Sequence, residues 1–249
     1  MLSKEEQKTL NQLCHESPQA AQVRELLHKE KQLQISMISH EIRNPVTVIN
    51  SFLQLIGSAY PEVRDSQYWQ EIINNMQFLR FLLTQLSDYN NSQKLNRAEI
   101  SLYRMLQSFI DSVRPTLSEQ NIEISFQKHG AVPPFLLDRE KLTQVFLNLI
   151  RNAAEAIAEM DDRHGGTIAV TLTADFDYVT VSIRDNGPGI PAEYLPTLFD
   201  FFVTHKKDGT GLGLAICRNI IEAHGGTIEV ASVLGEGAEF IIKLPIVYR

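Results

Sequence analysis

Ser39-His-Glu-Ile-Arg-Asn-Pro45 stands inside a run that reads as a helix. The surrounding apolar residues fall at Ile35, Ile38, Ile42, Pro45, Ile49, Phe52 and Ile56, in steps of three and four as in a coiled-coil seam. At about 100° per residue, His40 falls nearly opposite that stripe, and Asn44, Thr47, Ser51, Gln54 and Ser58 continue along the same polar face. The helix is therefore predicted to pack along one stripe and to present His40 to solvent. Pro45 removes a backbone hydrogen bond and crowds the carbonyl of Glu41, so a kink is expected just after the histidine.

Outward from this stretch, Gly57-Ser-Ala-Tyr-Pro61 interrupts the pattern, which resumes at Trp69, Ile72, Met76, Leu79, Leu83 and Leu86. Two antiparallel helices follow. A lone hairpin has too little core of its own, and pairing with a second copy into a four-helix bundle buries both seams, so a homodimer is expected. Upstream, residues 20–33 extend the first helix as a signal-transmitting coil, with Pro18 ahead of them.

A polar link over residues 91–99 marks a domain boundary, beyond which helix and strand patterns alternate. A helix is predicted over 101–119, then an alternating strand through Ile122, Ile124 and Phe126, and a second helix from near Asp138. Later strands are predicted over 167–173, 179–184, 227–232 and 238–244. Helices with a mostly antiparallel sheet make an α/β sandwich, and the fold class of the whole is α+β. The expected domains are an N-terminal helical segment over 1–29, a dimerisation and phosphotransfer hairpin over 30–93, and a nucleotide domain over 100–249.

Three features of the second domain carry chemistry. A helix over 141–159 has a polar stripe, Gln144, Asn148, Asn152 and Glu155, and two asparagines one turn apart can hold a hydrated Mg²⁺ and phosphate oxygens. In Asp185-Asn-Gly-Pro-Gly189, a carboxylate ends a strand against a pocket opened by Gly187 and Gly189, placed to accept the exocyclic amine of adenine and to reject guanine. Gly209-Thr-Gly-Leu-Gly213 opens a helix over 214–223, whose free N–H groups and dipole suit phosphates. No Gly-Lys-Ser/Thr follows, so this is not a P-loop, and the spacing is not that of the dinucleotide fingerprint.

In order and wording, the segments Ser39–Pro45, 148–156, 185–189 and 209–213 resemble a sensor histidine kinase core, a phosphoacceptor hairpin followed by a GHKL (Bergerat) ATP-binding domain. The resemblance covers roughly residues 25–246. It implies autophosphorylation of His40 by ATP and transfer to an aspartate of a response regulator receiver domain. Imidazole suits this role because its reference pKa of ~6.5 leaves a neutral nucleophilic nitrogen at cellular pH. Glu41 can accept a hydrogen bond from the other ring nitrogen. The Glu41-Ile-Arg-Asn44 string implies a second activity, Asn44 positioning a water that dephosphorylates the regulator. Asn148-Leu-Ile-Arg-Asn-Ala-Ala-Glu-Ala156 resembles the family's N box, in which Asn152 would bind Mg²⁺. Leu198-Phe-Asp-Phe-Phe202 resembles its F box, with Phe199 and Phe202 anchoring a short lid from which Lys206 reaches the phosphates. Asn148, Asp185, Gly187, Gly189, Gly209, Thr210, Gly211, Leu212, Gly213 and Leu214 complete the implied ATP contacts. Two positions depart from the pattern: Phe201 stands where proline is usual, and Ala238 where a small hydroxyl residue is common.

Composition narrows the alternatives. With 23 basic and 30 acidic residues the net charge is −7, which offers no general attraction to nucleic acid or anionic membrane. No stretch approaches the ~20 apolar residues that span a bilayer, so this chain is expected to insert in no membrane; either the protein is soluble or a membrane sensor precedes it. Cys14 and Cys217 are far apart, and Cys217 sits in an apolar helical run where a reduced buried thiol is expected, which fits the cytoplasm. A GHKL serine kinase or anti-sigma binder would not need His40 with Glu41 and Asn44. A decayed scaffold would not keep Asn148, Asn152, Asp185 and the 209–213 loop, and a gyrase- or MutL-like motor would need a transducer domain.

Overall fold

The structure is a computed structural model that describes residues 18–160, 165–206 and 209–247, the side chains of 18–29, 31–36 and 40 excepted. The expectation that the His40 side chain faces solvent lies outside the described residues, as do those for Cys14 and residues 1–17. The chain divides into two compact units, one ending at Asn90 and the other starting at Asn91.

The first unit is a helical hairpin. Helix α1, Pro18–Ala59, continues through Pro45, and α2, Gln67–Asn91, returns after a 3₁₀ turn, Pro61–Asp65. Gly57 sits where α2 begins to pack: a Cβ there would lie 2.9 Å from the Trp69 ring. The stripe that packs within the chain differs from the one singled out above. Val46 and Leu53 are the buried apolar side chains of α1 among the described residues, meeting Met76 and Leu83 of α2 with Trp69, Ile73 and Leu86 alongside. Ile38, Ile42, Ile49, Phe52 and Ile56 are exposed, as are Ile72 and Leu79. The reason is geometric. Val46 and Leu53 lie one residue, about 100°, from Pro45 and Phe52, so α1 carries two neighbouring apolar stripes and only one faces α2. Asn44, Thr47, Ser51, Gln54 and Ser58 are exposed, as the periodicity predicts.

The second unit is a two-layer α/β sandwich. Its elements are β1 (Ala98–Ile100), α3 (Leu102–Glu119), β2 (Ile122–His129), β3 (Phe135–Leu137), α4 (Arg139–Ala158), β4 (Gly166–Ala174), β5 (Tyr178–Asp185), α5 (Gly213–Ala223), β6 (Thr227–Val233) and β7 (Gly237–Pro245). The main sheet has the order β2-β4-β5-β7-β6; only β2–β4 is parallel, because the crossover through α4 joins them. Alternate residues Ile168, Val170 and Leu172, Val179, Val181 and Ile183, and Phe240, Ile242 and Leu244 are buried, and their register keeps them on one face, Val170 opposite Ile183 and Val181 opposite Ile242. Leu142, Phe146 and Leu149 of α4 and Ile216 and Ile220 of α5 are the helical side of that core. Caps start the helices where the sequence suggests: Ser101 accepts the Arg104 N–H and Asp138 the Lys141 N–H. Two elements were not predicted, β1 and β3, which pair antiparallel as a separate two-stranded sheet.

Candidate functional site

Strand β5 delivers Asp185 to the end of the sheet, and the chain then turns under it. The Gly187 N–H (2.9 Å) and the Ala238 N–H (3.2 Å) both donate to Asp185 Oδ1, which leaves Oδ2 without a donor among the described residues. Burial raises the carboxyl pKa, opposed by these two backbone donors and by the Lys206 charge. Position 238 thus serves Asp185 through its main chain, so alanine there costs this contact nothing. Asn186 is taken up structurally: its Oδ1 accepts the Thr167 N–H at 2.7 Å and its amide donates to the Gly165 carbonyl. The glycines are sterically required. A Cβ on Gly189, where φ is +74°, would lie 2.2 Å from the Val233 carbonyl oxygen, and one on Gly187 2.8 Å from Asp185 Oδ1.

Helix α4 presents Asn148 and Asn152 one turn apart, both half-buried. Asn148 donates to the Gly213 carbonyl at 3.4 Å and to Cys217 Sγ at 3.8 Å, tying α4 to the start of α5. Asn152 has no side-chain hydrogen bond among the described residues. Cys217 is buried and free, its thiol pushed up to about 12 by burial, so it is inert.

Residues 198–206 and 209–213 carry the next contacts. Phe199 is buried, edge-on to Phe240, with the Arg218 guanidinium 4.7 Å above its ring. Phe202, expected with Phe199 to anchor the lid, lies nearer the surface. It is 58% exposed, stacks edgewise on Phe201, and holds the lid through its backbone, donating its N–H to the Gly211 carbonyl at a φ of +63°. Phe201, in the usual proline position, thus packs its ring against that of Phe202. Tyr194 stacks on His205, centroids 3.5 Å apart. Lys206 donates to Glu155 Oε2 at 2.6 Å, an ion pair that sequence could not reveal because its members are 51 positions apart. Gly211, at φ +66°, has no room for a Cβ beside Phe202, nor has Gly209 beside Thr204. Thr210 Oγ1 accepts the Leu212 N–H, Leu212 is buried and Leu214 half-buried. Leu212 at the N-cap of α5 offers no side-chain cap, and among the described residues the first N–H groups of the helix have no partner and can meet a ligand.

The groups fit a purine nucleoside triphosphate: one oriented carboxylate oxygen, a helix start behind glycines, and two asparagines one turn apart on α4, of which Asn148 reaches Gly213. Three features were not read from sequence: Ser232, which accepts the Ile190 N–H and donates to the Gly237 carbonyl, the Glu155–Lys206 pair, and the Tyr194–His205 stack. The partners, from 5 to 51 positions apart, meet only through the fold, so no local pattern marks them. In the hairpin unit, Glu41 and Asn44 are exposed and Arg43 donates to the Leu83 carbonyl at 3.4 Å. Among the described residues no group of His, Cys, Asp and Glu gathers to hold a metal, and no helix is long and apolar enough to cross a membrane.

An acceptor-type hairpin followed by a Bergerat sandwich defines a class, and sequence comparison agrees. Residues 30–95 match the His Kinase A (phospho-acceptor) domain and residues 137–247 the Histidine kinase-, DNA gyrase B-, and HSP90-like ATPase family. The sensor histidine kinase ZraS of Escherichia coli O157:H7 is 33% identical over 210 residues, 84% of this chain and 45% of ZraS. Full-length ShkA in complex with AMPPNP is 26% identical, with a TM-score of 0.66 over 87% of this chain and 46% of that one. Histidine kinase ThkA in complex with the response regulator protein TrrA is 28% identical, with a TM-score of 0.63 over 91% of this chain and 66% of that one. The chain belongs to the sensor histidine kinase family and carries its catalytic core, with a GHKL ATP-binding domain as its second unit. It spans about half the length of the curated relatives it matches.

Proposed function

We propose that the chain is the core of an ATP-dependent protein-histidine kinase of a two-component system. The observation that carries this reading is the half-satisfied Asp185 carboxylate, aimed by two backbone donors at Oδ1 and open at Oδ2 to the amine of adenine. The neutral His40 imidazole attacks the γ-phosphorus of ATP; an N–P bond forms and the bond to the β,γ-bridging oxygen breaks, so ADP leaves with the electron pair. Glu41 accepts the hydrogen bond of the other ring nitrogen and balances the charge. Lys206 exchanges Glu155 for the phosphates, and the N–H groups of the 209–213 loop hold them. Mg²⁺ at Asn152 would neutralise charge on the phosphate oxygens. A receiver aspartate then takes the phosphoryl group as the N–P bond breaks.

The exposed Ile38, Ile42, Ile49, Phe52 and Ile56 support a homodimer, since one chain leaves them uncovered. The reaction takes place in the cytoplasm, whether or not a membrane sensor lies upstream. The exposed Asn44, one turn after His40, supports a second activity as a regulator phosphatase.

The test is to incubate the chain with Mg²⁺, γ-labelled ATP and a receiver domain. Label is expected first on the chain and then on the receiver, with Asn152→Ala cutting it about a hundredfold or more. Asn44→Ala is expected to keep labelling and to lose dephosphorylation of the receiver. Full labelling of Asn152→Ala would refute the metal assignment, and equal loss of both activities in Asn44→Ala the phosphatase role.

A further inference from the structure

Helices α4 and α5 run antiparallel and are joined near both ends of α5. Near the nucleotide pocket, Asn148 donates to the Gly213 carbonyl. About 15 Å away, ten residues along α4, a second joint is built on a buried histidine. His224 is 4% exposed; its Nε2 accepts the backbone N–H of Asp138 at 3.0 Å, and its Nδ1 lies 2.8 Å from the Ile220 carbonyl oxygen. An acceptor at Nε2 and a donor at Nδ1 define one neutral tautomer. The polar link enters the same joint. Asn96 donates its N–H to Asp138 Oδ2 at 2.6 Å, Arg97 donates to the Ala223 carbonyl at 2.7 Å, and Ala98 then pairs with Leu137. None of this belongs to the nucleotide contacts described above.

We propose that His224 is a positioning residue that, when neutral, locks the end of α5 to the start of α4 and to linker residues Asn96 and Arg97, and so keeps the 209–213 loop in register with Asn148 and Asn152. The inference rests on reading the second unit as an ATP-binding domain. A proton on Nε2 would set two donors, Nε2–H and the Asp138 N–H, against each other. The charged groups facing the ring are Arg97 from the link, which opposes a second positive charge, and Asp138 from α4, which favours one. Burial holds the imidazole pKa below its ordinary value, the Ile220 carbonyl opposing this, Arg97 adding to it and Asp138 opposing it. The joint is therefore closed at neutral pH and opens in acid.

The test compares AMPPNP affinity of the full chain for wild type, His224→Gln and His224→Asn at about pH 8 and about pH 5.5, the range over which histidine changes charge. Glutamine can place an uncharged acceptor near Nε2, whereas the shorter asparagine cannot reach Asp138. His224→Asn is expected to bind about five- to tenfold more weakly at the higher pH while circular dichroism shows it folded. Wild type should lose affinity in acid by more than His224→Gln does. An asparagine variant that binds as wild type, or a glutamine variant with the full acid loss, overturns the proposal. Imidazole ¹⁵N shifts test the joint without nucleotide: the Nδ1–H tautomer supports it and the Nε2–H tautomer refutes it. Absence of any wild-type AMPPNP binding at about pH 8 would instead refute the ATP reading, with the joint then decided by the tautomer.

Discussion

At the scale of single residues, Asp185 holds a conflict between folding and function. Its buried carboxyl has a raised pKa, so the folded state keeps the proton to higher pH than the unfolded state does. That contribution to stability is present below the ordinary value of 3.8 and lost as pH rises through the folded value. The ionised group needed to accept the amine of adenine therefore weakens the unliganded domain near neutrality. Asp185→Asn is expected to melt at a higher temperature than wild type at neutral pH, with the gap closing as pH falls toward 3.8, and to lose ATP affinity because an amide donor would face the amine. Thermal melts across pH check the first part and calorimetry the second; a lower melting temperature at neutral pH would contradict it. Asp185 was singled out in the sequence because a carboxylate at a strand end beside Gly187 and Gly189 can face a pocket, although Asp-Asn-Gly by itself also marks an ordinary turn. The role of Ala238 was not legible, because the residue acts through a backbone N–H that almost any residue supplies.

At the scale of elements, periodicity located the helices and the five long strands but not every phase. In α1 two apolar stripes lie side by side, and both have helical spacing; sequence alone does not say which one meets α2. The difference separates two kinds of substitution. Leu83→Ala removes buried packing against Val46 and Leu53 and is expected to destabilise the hairpin by about 2–5 kcal/mol. Phe52→Lys touches an exposed position and is expected to leave hairpin helicity intact while giving a monomeric mass by light scattering. Unchanged dimerisation in Phe52→Lys would place the interface elsewhere. Strands β1 and β3 were missed because three residues are too few to show alternation, and their pairing is set by the turn into Asp138 and by β7's continuation, where Val247 accepts the Leu136 N–H. The lid was read from the resemblance of residues 198–202 to an F box, but the ion pair of Lys206 with Glu155 was not read, since the two residues meet only through the fold.

At the scale of the whole molecule, the order of the segments carries more than any one of them. A histidine with a neighbouring carboxylate, an asparagine pair, a strand-end aspartate and a glycine loop each occur in many folds; in this sequence, with these intervals, they define one family. The central claim is that His40 receives the γ-phosphoryl group of ATP. Its most direct test is to incubate wild type and His40→Gln with Mg²⁺ and γ-labelled ATP and to challenge the labelled protein with acid and alkali. Label that is acid-labile, alkali-stable and absent from His40→Gln is the expected result. Acid-stable label, or label that survives the substitution, would contradict phosphorylation at His40 and point to a hydroxyl acceptor instead.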